Sequence, residues 1–275
     1  MFSKLLKHDT RAILKYWWIG AVVSLGISAL GGICMQINSV EYTKYSTIIA
    51  FAGVGTFFSI VGIVLLPLFT EVLLLVRYYK HFFTDEGYLT FTLPVKRTQL
   101  LDSKVFTAFI FNTASILLVA IDALIMFSIG APDIVFDAGT WQDVFEKIGD
   151  LFSAFGGYSV PYILLSILII ISFLLLQSLF VFACITLASS IVKKHKILAA
   201  IGIYYGASIA FAVLLNIMTL GGLPTVLNHI SQLEGGSFIA ATLFVLVGVL
   251  GILILALGGL YFFVLYLLDR RLNLE

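Results

Sequence analysis

The chain has 275 residues, of which 61% are hydrophobic and 11% charged, whereas an ordinary soluble domain carries roughly 25% charged residues. A soluble core cannot bury so much apolar surface, so the composition excludes an ordinary soluble enzyme and indicates a lipid bilayer as the partner. The formal net charge of +1 gives no sign of nucleic-acid binding, and none is expected.

Six apolar runs are long enough to cross a membrane. A run of about 20 residues spans the ~30 Å hydrocarbon core as a helix, because a helix satisfies its own backbone polar groups there. The runs are residues 16–37, 46–76, 105–130, 160–191, 197–220 and 237–268. We therefore expect an all-α integral membrane protein, with residues 1–275 forming one transmembrane domain, a bundle of six helices.

A basic amphipathic segment precedes the first run. Its cations alternate with apolar side chains ahead of an aromatic cluster: Phe2, Lys4, Leu5, Leu6, Lys7, Arg11, Ile13, Tyr16, Trp17 and Trp18. This pattern predicts an N-terminal helix that lies along the inner interface. Ile33 before Cys34 is too large for lipoprotein processing, so we expect the first run to be retained as a span.

Small residues recur at every fourth position in two of the runs. They are Gly20, Ser24 and Ser28 in the first run, and Gly202, Gly206 and Ala210 in the fifth. Such spacing gives a flat helix face that permits close approach of another helix. Packing within the chain and an interface with a second subunit both fit this pattern.

Two acidic residues interrupt the apolar runs. Counting helix rise from the predicted ends of their spans places Glu71 and Asp122 near an interface. A structural role and a role in transport both remain open for them. Asn112, a deeper polar residue, is expected to form a hydrogen bond between helices.

The segment between the second and third runs mixes charges with apolar side chains that a simple connection does not need: Tyr88, Leu89, Phe91 and Leu93. Gly87 permits a turn after the acidic pair Asp85 and Glu86, and Pro94 stops any helix before it. The sequence thus predicts one short helix over residues 85–93. We refer to residues 84–97 as the coupling segment.

The connection after the third run is acidic and contains a second amphipathic pattern. Its apolar residues recur at helical spacing: Trp141, Val144, Phe145, Ile148, Leu151, Phe152 and Phe155. This favours a helix on the outer interface, which either covers helix ends as a lid or gates a substrate.

Positive charge predicts the orientation. Of the sixteen lysines and arginines, fourteen fall on one side of the six predicted spans, and only Lys44 and Lys147 fall on the other. Because cationic loops stay in the cytoplasm, both termini are expected there, in a multi-pass protein of the cell membrane.

The chain contains no motif for chemistry of its own. No glycine is followed by lysine, so the phosphate cradle of an NTPase is missing, and neither H-E-x-x-H nor C-x-x-C occurs. We expect no catalytic residue, no bound metal and no cofactor.

The coupling segment resembles the corresponding loop of the membrane subunits of type-2 ABC transporters. The match covers Asp85, Glu86, Gly87, Leu93, Pro94, Val95 and Arg97, followed by Leu100, Leu101, Ser103 and Lys104, whereas Lys96 departs from the small hydroxyl often found there. The resemblance implies a permease that pairs with a second copy or a sister permease. It also implies docking of separately encoded ATPases, which bind ATP and Mg²⁺, through this loop.

The particular form of the loop looks like permeases of Gram-positive bacteria associated with peptide export or immunity, so peptide or another amphipathic compound is the expected substrate class by analogy. Two alternatives remain open. An ion-coupled transporter would use Glu71 or Asp122, and a non-transporting scaffold or sensor would explain the loop aromatics without a substrate path. A neighbouring gene for a soluble ATPase would favour the first interpretation.

The predicted topology can be tested with single cysteines. We expect cysteines at positions 44 and 147 to react with a membrane-impermeant reagent in intact cells, and those at 96 and 194 to react only after the membrane is opened. Reaction at position 96 in intact cells would contradict the orientation.

Overall fold

Helices account for nearly all of the structure. The computed structural model describes residues 2–39, 46–84, 87, 95–192, 195–221 and 236–270. Its helices are α1 (Phe2–Ser39), α2 (Ser46–Phe83), α3 (Arg97–Gly130), α4 (Pro132–Val135), α5 (Ala138–Phe155), a 3₁₀ turn (Gly156–Tyr158), α6 (Ser159–Ile191), α7 (Lys196–Gly221) and α8 (Gly236–Arg270). Helical residues make up 96% of the described part, which confirms the predicted all-α class.

Six of these helices, α1, α2, α3, α6, α7 and α8, are long and apolar enough to cross a membrane. Large apolar side chains on them are widely exposed, including Phe51 at 79%, Phe244 at 80% and Leu255 at 77%. Water would make such surfaces costly, whereas lipid tails cover them without penalty. The six spans and the exposed apolar surface are consistent with a multi-pass membrane protein.

In the C-terminal half of the chain the helices have the limits of the predicted apolar runs. In the N-terminal half the helices are longer than those runs. Helices α6, α7 and α8 begin and end within two residues of the predicted spans. Helix α3, in contrast, begins at Arg97, eight residues before the expected start at Val105. Helix α2 continues to Phe83, beyond the apolar run that ends at Val76.

The N-terminal segment predicted to lie along the inner interface forms the beginning of α1 and is continuous with the first span, and its interfacial position stays a prediction. Helix α1 is continuous over 38 residues, a length of about 57 Å. Its first turns are held by side-chain contacts: Asp9 is buried and pairs with Arg77 of α2 at 3.8 Å, and the Phe2 ring meets Phe106 of α3 edge-on. These contacts lie far apart in sequence, so amphipathic periodicity could not reveal them.

The chain divides into two compact units. Unit 1 comprises residues 1–77 and 106–152, and unit 2 comprises residues 78–105 and 153–275. The described residues of the coupling segment, 84, 87 and 95–97, therefore belong to unit 2, together with α6, α7 and α8.

Unit 1 is built on close contacts of α1 with α2 and α3. A Cβ added at Gly31 would lie 2.5 Å from Cβ of Ser59, and one added at Gly32 would lie 2.8 Å from the carbonyl oxygen of Met126. No side chain fits at these distances, so the glycines set how closely the helices pack. In unit 2, α6 packs against both α7 and α8.

Helix α5 matches the predicted amphipathic helix in its limits. Asp137 caps its first turn, accepting hydrogen bonds from the backbone N–H of Thr140 at 3.0 Å and from its hydroxyl at 3.1 Å. These bonds favour the carboxylate and lower the pKa of Asp137 below its ordinary value. All residues from 141 to 150 are exposed, including Trp141 and Phe145. That apolar face suits the predicted interfacial position, which stays a prediction.

The surroundings of Gly32 and Gly248 predict that substitution by alanine has opposite effects on stability at the two positions. Gly32→Ala should lower the stability of the detergent-solubilised protein by about 1–3 kcal/mol, because the new methyl group meets backbone on α3. Gly248→Ala on α8 is the matched control: nothing lies within 4 Å of its added Cβ, so it should be neutral or stabilise by about 0.5–1 kcal/mol. Thermal unfolding measures both. An equal loss in the two variants would contradict the described packing of α1.

Candidate coupling site

The coupling segment is described at both of its ends. Gly87 and residues 95–97 lie in the described part, whereas Asp85, Glu86, Tyr88, Leu89, Phe91, Leu93 and Pro94 lie outside it, as does the short helix predicted for residues 85–93. Each described end of the segment is held by contacts with other helices of unit 2.

Tyr78 anchors the end of α2 within unit 2. It is completely buried, its ring stacks on Phe182 of α6 with centroids 4.2 Å apart, and its hydroxyl lies 2.7 Å from that of Thr186. Thr186 already donates its own hydrogen to the carbonyl oxygen of Phe182. The phenol must therefore be the donor, with the Thr186 oxygen as acceptor.

The chain then turns tightly at Gly87. The backbone N–H of Gly87 donates to the carbonyl oxygen of Thr84 at 2.7 Å. A Cβ added at Gly87 would lie 2.7 Å from the carbonyl oxygen of Phe82, which is backbone and cannot move aside as a side chain could. A side chain at position 87 would thus require the turn to open.

Arg97 fixes the other end of the segment. The carbonyl oxygen of Lys96 accepts the first hydrogen bonds of α3, from the N–H groups of Gln99 at 3.0 Å and Leu100 at 3.3 Å. The Arg97 guanidinium donates to the carbonyl oxygen of Leu268 at 2.5 Å and to the Asp269 carboxylate at 2.9 Å. It thereby satisfies a free carbonyl at the C-terminal end of α8, where a cation is favoured.

Two further residues of α3 strengthen this attachment. The hydroxyl of Tyr261 on α8 donates to the Asp102 carboxylate at 2.7 Å. Lys104 is buried, and its ammonium group lies 5.9 Å from the centroid of the Phe82 ring. The start of α3 is thus bound to α8 and to the end of α2 within the same unit.

Gly87 and Arg97 were predicted as site residues, whereas Tyr78, Asp102 and Tyr261 were not. The partners of these three residues lie more than 100 positions away in the sequence. Only Tyr261 lies within a predicted apolar run, where its polar hydroxyl is a signal that could have marked it.

The two small-residue faces have different surroundings. In unit 1, a Cβ added at Gly20 would lie 2.6 Å from the Phe69 ring, and Ser24 and Ser28 are buried. In unit 2, Gly202, Gly206 and Ala210 are exposed, and nothing lies within 4 Å of a Cβ added at either glycine. The first face therefore packs within the chain, and the second is open among the described residues.

Unit 1 also contains polar contacts between its spans. Asn112 donates to the Glu71 carboxylate at 2.8 Å, which confirms its predicted hydrogen bond between helices. The Trp17 indole lies 3.1 Å from the Thr70 hydroxyl and 3.0 Å from that of Ser115. These bonds connect α1, α2 and α3 and fix their relative positions, because lipid offers no alternative hydrogen-bond partner.

Comparisons of the chain with protein-family models, with curated proteins and with solved structures return no match.

The hydrogen bond between Tyr78 and Thr186 predicts that removal of the two hydroxyl groups lowers the stability by different amounts. Tyr78→Phe removes only the donor and should cost about 0.5–1.5 kcal/mol, because the Thr186 hydroxyl keeps its bond to the Phe182 carbonyl. Thr186→Val keeps the shape but leaves the buried phenol without its acceptor, at a cost of about 1–3 kcal/mol. Thermal unfolding of the two variants and their double variant provides the measurement. A larger loss for Tyr78→Phe would contradict the assigned donor.

Proposed function

We propose that the chain is the membrane-spanning permease subunit of an ATP-driven ABC exporter, and that residues 84–97 couple it to a separately encoded ATPase. The observation that carries the proposal is the attachment of both ends of the segment to unit 2. One end is held through Tyr78 on α6, and the other through Arg97 on α8.

These two attachments would allow the segment to pass movement on to the spanning helices. A loop that merely connects two spans needs no buried tyrosine and no guanidinium bound to a distant helix end. When an ATPase binds ATP and closes, it moves whatever element it holds on its surface. A displaced coupling segment would pull on α6 through the Tyr78 ring and on α8 through Arg97. Small shifts of this kind can select between two packings of the spanning helices.

The sequence indicates which functions belong to this subunit and which to its partners. The chain has no phosphate cradle, so ATP and Mg²⁺ belong to the partner ATPase, and this subunit binds no cofactor. A second permease copy or a sister permease would complete the substrate path, and the open face with Gly202, Gly206 and Ala210 is the candidate dimer face. Peptide or another amphipathic compound is the proposed substrate class.

The proposal predicts that Glu86→Lys and Gly87→Val abolish transport while the protein remains inserted and abundant. Charge reversal at Glu86 would oppose a basic rim on the ATPase, and a side chain at Gly87 would open the turn against Phe82. We expect at least about tenfold less copurified ATPase, equivalent to ~1.4 kcal/mol of binding free energy.

The measurement combines affinity purification, identification of the partner by mass spectrometry and ATP hydrolysis in vesicles. Gly248→Val is the matched control, since nothing lies within 4 Å of its added Cβ. A partner that carries the G-x-x-x-x-G-K-[ST] motif and is lost only in the coupling-segment variants supports the proposal. Full ATPase recovery with both variants would refute it.

A further inference from the structure

The first four turns of α1 present a row of positive charges on one side of the helix. Its members are exposed and recur at intervals of three or four residues, so they lie one above another: Lys4, Lys7, Arg11 and Lys15. The one acid in this stretch, Asp9, is buried and pairs with Arg77 of α2. No acid therefore offsets the charge of these four residues, which we call the basic row.

The opposite side of α1 packs within unit 1. Ile13 is 4% exposed and lies about 160° around the helix axis from both Arg11 and Lys15. The Phe2 ring, one turn before the row, meets Phe106 of α3 edge-on. The basic row thus points away from the protein. Among the residues that the structure describes, none of its four cations forms an ion pair.

The side of α1 that carries the basic row becomes apolar after Lys15. Trp18 is 58% exposed and Val22 is 48% exposed, three and seven residues further along the same side. Tryptophan is enriched where the hydrocarbon of a bilayer meets the headgroups. With Trp18 at this boundary, helix rise places Lys15 about 4.5 Å and Arg11 about 10 Å towards the water. The long side chains of both residues reach the headgroup layer, which is about 5–8 Å thick.

We propose that the basic row binds the phosphate groups of anionic phospholipids in the leaflet beside the N-terminal part of α1. An Arg11 guanidinium can donate two parallel hydrogen bonds to a phosphate, and the lysines add point charges. A zwitterionic lipid carries its own amine beside the phosphate, so four cations without an acid favour a lipid of net negative charge.

A lipid surface fits the row better than an acidic protein does, because the row continues directly into the exposed apolar side at Trp18 and Val22. In the predicted orientation the leaflet is the cytoplasmic one, whose surface is negatively charged. The basic row lies in unit 1, outside the coupling segment, and the proposal does not rest on the coupling function.

Native mass spectrometry of the full-length protein tests the proposal. The protein is equilibrated in detergent with equal amounts of phosphatidylglycerol, which is anionic, and phosphatidylcholine, which is zwitterionic, and the ratio of the two retained lipids is measured. We expect the unsubstituted protein to favour phosphatidylglycerol, and less so as salt screens the charges. Lys15→Gln should lower the ratio about fivefold, and Arg11→Gln combined with Lys15→Gln about 25-fold.

Lys147→Gln is the matched control for Lys15→Gln. Lys147 is also an exposed cation on a helix of unit 1, but Asp143 and Asp150 lie one turn to either side of it on α5. Its neutralisation should leave the lipid ratio unchanged. Lys15→Arg keeps the positive charge and should keep the preference as well.

Equal retention of the two lipids by the unsubstituted protein would overturn the proposal. So would a loss in Lys147→Gln or Lys15→Arg as large as that in Lys15→Gln. If the double variant fails to accumulate, Arg11→Gln and Lys15→Gln are measured singly, each with an expected loss of about fivefold. An unchanged lipid ratio together with loss of a copurified acidic protein would assign the row to a protein partner, and the lipid site would be refuted.

Discussion

The hydrocarbon interior of a bilayer offers no hydrogen-bond partner, and this constraint governs the whole structure. Backbone groups are satisfied by long uninterrupted helices, so six of them can carry large exposed apolar surfaces. Polar side chains in the spans meet one another instead of lipid: Asn112 with Glu71, and Tyr78 with Thr186. Hydrogen bonds between the helices are thus concentrated at a few polar positions.

In the proposed coupling role, contacts of this kind would transmit movement of the segment to the spanning helices. Shape complementarity alone would let helices slide, because lipid tails replace one apolar contact by another at little cost. A stacked ring with a buried hydrogen bond at Tyr78, and a guanidinium at the C-terminal end of α8, resist sliding at two points. Attachment at both ends makes the proposed coupler part of unit 2.

The apolar runs were sufficient to predict the class of fold and the limits of α6, α7 and α8, since the membrane imposes both length and composition. They did not predict the start of α1, the end of α2 or the start of α3. There the helices continue through charged residues that are stabilised by distant partners, Asp9 by Arg77 and Arg97 by Asp269. For Asp122, helix rise gives a depth along the span but not the neighbouring helices, and its complete burial depends on how the helices of unit 1 pack. That residues 84–97 couple to an ATPase stays a prediction from their aromatic residues and motif, whereas the contacts that hold the two ends of the segment required the tertiary structure.

Hydrogen exchange followed by mass spectrometry, on the purified protein with and without the ATPase that the proposal expects to copurify, tests the central claim most directly. We expect the bound ATPase to protect residues 84–97, and ATP to change the exchange of residues 182–189 of α6 and 261–270 of α8, which hold the two ends of the segment. Unchanged exchange at residues 84–97, with protection only elsewhere in the chain, would contradict the account.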